Sequence, residues 1–532
     1  MQHRHFTPRI ASLTAFTIVI AVLITRGVSG GEISAADISQ IIDRRLGTGA
    51  ETPNQFAEDT DFLRRVTLDL AGRIPTIAEV HEFTANPSES RRGDAIRRLM
   101  HSGVYYRNMA TFWRRAWVPQ ADTREFAAVT DDFELWLIQR LREQKPYDQL
   151  VEEVLLFDHS QTAGTGAIPV GFYTANQSKP ENLAASSTRA FLGINLDCAQ
   201  CHNHPFSRWT REQFWQTAAF FAQPVSATEH STRPPKVRVP DTDLEFEPAL
   251  LSSEEIHWPE KLDSVSLRQI LVKWVKDDQE HLLAKNAVNR LWSHYFGEAI
   301  IEPMDDLSRG EFQTGERAEL LNELSQAFIA SGYNLDLMVA GMTGSDAYRL
   351  ATVLPRTNNQ GDSAPSEISA NTPASLDTSG FHLTHAEVRG LSGEQLYDSL
   401  QTAAGLPAVR SDISRDAGRT RREFSSQFYV ERPSTAERSI SQALTLMNGS
   451  LVSQMSTSRG NPMLASIIDS PFMSPDDQIT TVFMAVLSRP AREEELATVK
   501  RHFETNSASN RESQLGNLFW VLVNSSEFNT NH

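Results

Sequence analysis

The 532-residue chain holds only two cysteines, Cys198 and Cys201, and a histidine follows the second at once. The run Cys198-Ala199-Gln200-Cys201-His202-Asn203-His204-Pro205-Phe206 therefore carries the pattern C-x-x-C-H. Two thiols three apart followed by an imidazole suit covalent haem attachment: the thiols form thioethers and the histidine ligates the iron. Haem c, held by Cys198, Cys201 and His202, is the leading cofactor reading. Zinc is the alternative, because Cys198, Cys201, His202 and His204 supply two thiolates and two imidazoles. Chelation by all four is strained, since Cys201 and His202 are neighbours. A C-x-x-C pair also closes readily into a redox or structural disulfide where thiols oxidise, and the cluster can be structural alone. For a ligand on the opposite haem face, His204 stands too close in sequence, while His159, His294, Met304 and Met447 are remote. A five-coordinate iron would favour ligand or peroxide chemistry over electron transfer.

A second polar set comprises Asn289, Arg290, His294, Asp305 and Asp306. The imidazole can serve as acid or base with the carboxylates as partners. In the competing reading Arg290 pairs with an acidic group and the Asn and Asp side chains cap helices. No serine nucleophile elbow, phosphate-cradling glycine loop or H-E-x-x-H motif is present. With 67 acidic residues, carboxylate pairs arise by number alone, so they are no sign of glycosidase chemistry. The net charge of -17 argues against general nucleic-acid binding, because phosphates need a basic excess to neutralise them. One basic stretch stands out, with Arg419, Arg421, Arg422 and Arg432 among Phe424, Phe428 and Tyr429. It suits an acidic polymer or a solvated face.

The elements that must position these groups read as helices. The N-terminus resembles an export signal: Arg4 and Arg9 precede an apolar run from Ile10 to Ile24, and Gly27 to Gly31 suit processing near Gly30. Residues 1–30 are thus a leader or an N-terminal anchor, and no later segment is apolar enough to span a membrane. The mature chain is expected in the periplasm or cell envelope, or secreted, with a redox partner or envelope protein as its companion. From Ser34 onward apolar residues recur at helical spacing: Ile38, Ile42 and Leu46, then Phe62, Val66 and Leu70, with Asp59 or Thr60 as the cap. Gly72 and Pro75 end that helix and Thr76 caps the next. Glu181 to Phe191 reads as a helix that Gly193 terminates. Thr210 caps another, carrying Phe214, Trp215, Ala218 and Phe221, which could line a cofactor or belong to a plain core. Six prolines between 223 and 262 interrupt the helices, and Lys236-Val237-Arg238-Val239 alternates like a short strand. Helices resume at Ser266, and the Ser-, Pro- and Thr-rich run from 354 to 380 holds too little apolar surface to order. The expectation is a mainly α protein: a helical domain over 35–222, a Pro-rich connection with a minor β-ribbon over 223–264, and a second helical domain over 265–532.

Phe62-Leu63-Arg64-Arg65-Val66-Thr67-Leu68-Asp69-Leu70-Ala71-Gly72-Arg73-Ile74-Pro75 resembles the opening signature of domain-of-unknown-function family 1549, abundant in planctomycete bacteria. Lys145-Pro146-Tyr147-Asp148, and Phe191-Leu192-Gly193 leading into Cys198 through Phe206, resemble later signatures of that family. Ala287 to Gly297, with Asn289-Arg290-Leu291-Trp292 at its centre, resembles family 1553, the usual companion of the first. Met304-Asp305-Asp306, Met342 to Arg349, Gln442 to Gly449, Leu487-Ser488-Arg489-Pro490 and Asn524 to Phe528 extend that likeness. Leu307 stands where family 1553 commonly has Phe, and Gly344 is a further departure. The resemblance implies an exported protein and no particular reaction. Three functions stay open: a haem-binding redox protein, a secreted enzyme or accessory of polysaccharide breakdown with a metal-bound Cys/His motif, and a non-catalytic envelope protein with a Cys198–Cys201 disulfide.

Overall fold

The computed structural model describes residues 33–48, 56–119, 127–157, 168–222, 234–252, 254–260, 262–307, 314–352, 383, 385–407, 415–428, 439–505 and 510–532. The leader at 1–30, the excursion at 354–380, and His159, Tyr429 and Arg432 lie outside the described residues. Helices make up 66% of the structure and strands are confined to two small ribbons, so the fold is mainly α.

The chain opens with α1 (Ala35–Leu46), where Ser34 and Asp37 close a reciprocal capping box. Next comes α2 (Asp59–Ala71), which starts one residue ahead of the caps read from sequence, at Glu58. It buries every residue from Phe62 to Ala71. A surface helix hides one stripe, whereas α2 is enclosed all round. Gly72 ends it at φ 68°, and a Cβ there would meet Oδ1 of Asn108 at 2.6 Å. Thr76 and Glu79 box the start of α3 (Ile77–Ala85). Four longer helices follow: α4 (Arg91–Met100), α5 (Gly103–Trp117), α6 (Ala127–Arg142) and α7 (Tyr147–Leu156). The short α8 (Val170–Ala175) and α9 (Pro180–Ser187) lead to the cysteines. Beyond Ser187 the coil widens into a π turn over Thr188–Leu192, closed by Gly193 at φ 61°, whose N–H reaches back to the Thr188 carbonyl. The single helix read over 181–191 is therefore split into α and π segments. A π turn inserts one extra residue and redirects the chain. After α10 (Arg211–Ala218), Val237–Arg238 (β1) pairs antiparallel with Glu245–Phe246 (β2), so the alternating stretch forms the minor ribbon.

The C-terminal half begins with α11 (Ser264–Asp277), α12 (Leu282–Phe296), α13 (Glu316–Ala330) and α14 (Leu335–Gly344). It continues through β3 (Arg389–Gly390), α15 (Gly393–Ala403), α16 (Arg415–Ser425), α17 (Ile440–Asn448), α18 (Ser450–Met455), α19 (Pro462–Asp469), α20 (Pro475–Leu487), α21 (Glu493–Thr505), α22 (Arg511–Val523) and α23 (Ser526–Asn529). The strand β4 (Thr530–Asn531) returns to pair with β3.

Two buried apolar clusters hold these helices. The first runs from Ile38 to Tyr348, takes Met484 from α20 as well, and crosses the Pro-rich connection, so α1–α10 and α11–α14 share it. Its centre is aromatic: Trp113, Trp117, Phe133, Trp136 and Tyr147 pack with centroids 4.9–6.5 Å apart. Phe191, from the π turn, sets its edge on Trp117 at 5.3 Å. Burying each such ring contributes roughly 2–3 kcal/mol, which makes this the anchor of the first half. The second cluster runs from Leu391 to Phe528 and takes Leu68 and Ile74 from α2 and the turn after it. Packing thus divides between residues 350 and 390, well past the Pro-rich connection.

The polar residues of α2 fasten the two clusters. Arg64 donates to the carbonyls of Glu527 and Phe528 at 3.1 and 3.0 Å, and burial pushes its guanidinium down to about 10. Arg65 donates to the carbonyls of Tyr348 and Leu350 at 2.8 and 2.7 Å. Asp69, fully buried, accepts from Tyr348 Oη at 2.6 Å, from Asn531 Nδ2 at 2.7 Å and from Arg389 Nη2 at 2.8 and 3.0 Å. Such a carboxylate survives burial because its charge is paired and its lone pairs are filled.

Candidate functional site

The π turn delivers the chain at Gly193 into a short 3₁₀ turn, Asp197–Gln200, that carries Cys198 and ends at Cys201. Ala199, between the thiols, points inward and is fully buried, while both cysteines are exposed and unbonded. Inward anchoring of Ala199 turns the two thiols outward together. Three further contacts fix the turn from below. Trp215 of α10, 2% exposed, donates its indole N–H to the Gln200 carbonyl at 3.1 Å. Asn203 Oδ1 accepts the Arg211 N–H at 3.0 Å, and the His204 N–H donates to the Trp209 carbonyl at 2.8 Å. Arg189, from the π turn, pairs with Asp197 at 3.0 Å.

The two histidines differ. His202 is exposed, with Nδ1 2.8 Å from the Asn203 carbonyl. A carbonyl only accepts, so Nδ1 carries the proton and Nε2 keeps a lone pair facing away from that bond. This is the second-contact arrangement typical of a metal-ligating imidazole. His204 is buried and its Nδ1 accepts the Phe206 N–H at 3.2 Å. In that tautomer its Nε2 carries the proton, so His204 locks the loop and offers no ligand. The zinc set of Cys198, Cys201, His202 and His204 is accordingly not assembled: among the described residues no three His, Cys, Asp or Glu side chains gather as a metal site. The donor chemistry of Cys198, Cys201 and His202 does fit a covalently held haem. Phe214, Trp215, Ala218 and Phe221 belong to the first core, all at most 5% exposed. Their role is to support the turn, and the aromatic surface facing solvent beside it is Phe206, 78% exposed.

The second polar set is dispersed. Asn289 is consumed by a two-way bridge to Ile301, donating to its carbonyl at 2.9 Å and accepting its N–H at 3.0 Å. Arg290 donates to Asp305 at 2.6 Å, to Asn286 Oδ1 at 3.1 Å and to the Arg189 carbonyl at 3.1 Å. Asp306 is buried beside the turn at Pro303. His294 lies elsewhere, beneath Phe112 and 3.4 Å from the Asp69 carbonyl. Burial pushes its imidazole below the ordinary value of 6.5, with Asp69 opposing. Its contact with a carbonyl uses Nε2–H, so in the neutral ring the lone pair is left on Nδ1.

What this set builds is a brace. Asn286 donates to the Ala190 carbonyl at 2.7 Å, Arg290 holds Arg189, and the Leu307 N–H donates to the Gly193 carbonyl at 2.8 Å. A Cβ at Gly193 would lie 3.0 Å from Leu307, so the close approach needs glycine there as well as the positive φ. The α12 signature therefore clamps the π turn that aims the cysteines. Sequence reading missed Asn286 because it acts through a backbone carbonyl 96 residues away, and missed Arg189 and Asn203, whose partners Asp197 and Arg211 lie eight residues on across an irregular loop. The buried Asp69 joint left one signal, a carboxylate inside the apolar run Leu68-Asp69-Leu70.

Comparison with known proteins finds two family models, one in each half of the chain. Residues 37–225 match the family model PSCyt2, described as a protein of unknown function (DUF1549), and residues 267–423 match PSD1, a protein of unknown function (DUF1553). No curated protein and no solved structure matches the chain. No described helix is long and apolar enough to cross a membrane.

Proposed function

The chain belongs to the proteins that join a DUF1549 domain to a DUF1553 domain, and on that footing we propose an exported cell-envelope redox protein carrying one haem c. Cys198 and Cys201 would hold the group through thioethers and His202 would ligate its iron. The observation that carries this reading is the placement of those three side chains: two free, exposed thiols on one turn and an exposed imidazole whose Nδ1 lies 2.8 Å from the Asn203 carbonyl. Thioether attachment would add sulfur and proton of each thiol across one vinyl group and would need no oxidant. The bound group would supply a one-electron couple or an open iron position. The protein's part is positional. The Asn203 carbonyl fixes the His202 tautomer, Trp215 and Ala199 present the thiols outward, and Arg189 with Asn286 and Arg290 steadies the turn's entry. Export agrees with attachment outside the cytoplasm. Exposed Phe206 beside the thiols offers an apolar contact for a redox partner or envelope protein.

The test is expression alongside cytochrome c maturation machinery, comparing the wild type with Cys198→Ala/Cys201→Ala. The wild type is expected to show a Soret band that survives denaturation and acid-acetone extraction, and the double variant none. A colourless, folded wild type, or one with a Cys198–Cys201 disulfide in place of haem, would overturn the proposal.

A further inference from the structure

An amphipathic surface helix turns its apolar stripe to the core and its polar face to water. Helix α17 does the reverse. Of its nine residues only Gln442 and Leu446 are buried, and Leu446 seats the helix on the second core. Ile440, Ala443, Leu444 and Met447 recur at i, i+3, i+4 and i+7, so they share one face, and all four are exposed. Ile440 keeps 81% of its surface in water and Leu444 51%. The face continues onto α22. Trp520 donates its indole N–H to the Met447 carbonyl at 3.0 Å, and the next residue, Val521, is 54% exposed. A contiguous patch of this kind marks a contact site, whereas single exposed apolar residues do not.

The patch is also uncharged. No Asp, Glu, Lys, Arg or His stands from Ser439 to Ser458, nor from Ser513 to Ser526, in a chain that is 22% charged. This neutrality selects the occupant. An acidic or basic partner finds no counter-charge here, and a helix made for an anionic lipid surface carries Lys or Arg on its flanks. A second copy of the chain fits. Two molecules of net charge -17 repel, so they meet at least cost where neither is charged. A two-fold axis sets a patch against itself, where any charge would face its own like. Trp, Met and aliphatic side chains without charge are also the usual make-up of an interface centre.

We propose that α17 and the adjoining edge of α22 form the contact of a symmetric homodimer, with Leu444 in its middle. Nine helical residues span only about 13 Å. A contact of that reach falls at the small end of specific interfaces, roughly 1,200 Å² in total, so the dimer is a reversible one that dissociates in the micromolar range.

Sedimentation equilibrium of the full chain over a hundredfold range of concentration tests this, and it needs no haem. The average mass is expected to climb from one chain toward two, more steeply in high salt, which screens the repulsion between the acidic bodies. Leu444→Glu is expected to weaken association at least tenfold with an unchanged thermal transition, since the side chain already stands half in water. Val521→Glu, on the neighbouring helix, is the second probe and should weaken it as well. A wild type that stays monomeric throughout, a dimer weakened by salt, or a folded Leu444→Glu protein that dimerises as the wild type does would each overturn the proposal. A monomer that floats with phosphatidylglycerol vesicles, and is released from them by Leu444→Glu, would give the face to lipid and overturn it too.

Discussion

Asp69 and Asp305 both answer an arginine, yet their surroundings make them unequal. Asp69 is fully enclosed with Arg389, whereas the Asp305 side chain is 45% exposed beside Arg290. Replacing Asp69 by Asn leaves a buried guanidinium without its counter-charge and is expected to cost about 3–5 kcal/mol in urea unfolding. Asp305→Asn should cost under about 1 kcal/mol, because water screens that pair. Equal costs would refute the distinction. His294 adds a pH signature. Its folded value lies below the ordinary 6.5, so its contribution is complete above pH 6.5 and is lost as pH falls and the unfolded chain takes up protons first. Thermal midpoints should decline between pH 7 and 5, and His294→Phe, which keeps the ring packing on Phe112, should flatten that part of the slope. At this scale sequence reading found the chemical groups at Cys198, Cys201 and His202. It assigned His204 and His294 no settled role, because a histidine's use depends on which nitrogen its neighbours claim.

At the level of elements, caps were the most legible feature. Thr76 and Thr210 each cap the helix expected of them, since capping needs only residues three apart. The π turn was not legible, because its cause is the clamp from Asn286, Arg290 and Leu307, about a hundred residues away. Gly72 was read as a stop, and its second duty, admitting Asn108, needed coordinates. Gly72→Ala should destabilise the protein by roughly 1–3 kcal/mol, through positive φ and the Asn108 clash. A neutral outcome in chemical unfolding would show that the turn relaxes freely. Glu79 gives this region an acid limit: burial pushes its carboxyl up, but Arg73 and the Thr76 cap outweigh that and hold it down to about 2. Its stabilisation is intact above about pH 4.5 and fades as pH drops toward 2.

For the whole molecule, the mainly α class followed from helical periodicity and the scarcity of alternating stretches. The location of the two cores did not, because α2 is far in sequence from the segments it fastens at 348–352, 389 and 527–531. Its signature, Arg64 through Arg73, therefore reads as an assembly joint, while the signature at 287–307 is the brace of the cysteine turn. With Leu68 and Ile74 buried in one core and Phe62 and Val66 in the other, α2 cannot leave either alone. The protein is expected to melt in a single calorimetric transition, and two resolved transitions would contradict that interlock. The most direct test of what the cysteine turn holds is the mass of the denatured chain after acid-acetone extraction, with the protein made alongside haem-maturation machinery. The account predicts a gain of one haem, located on the peptide containing Cys198 and Cys201; an unmodified mass would contradict it.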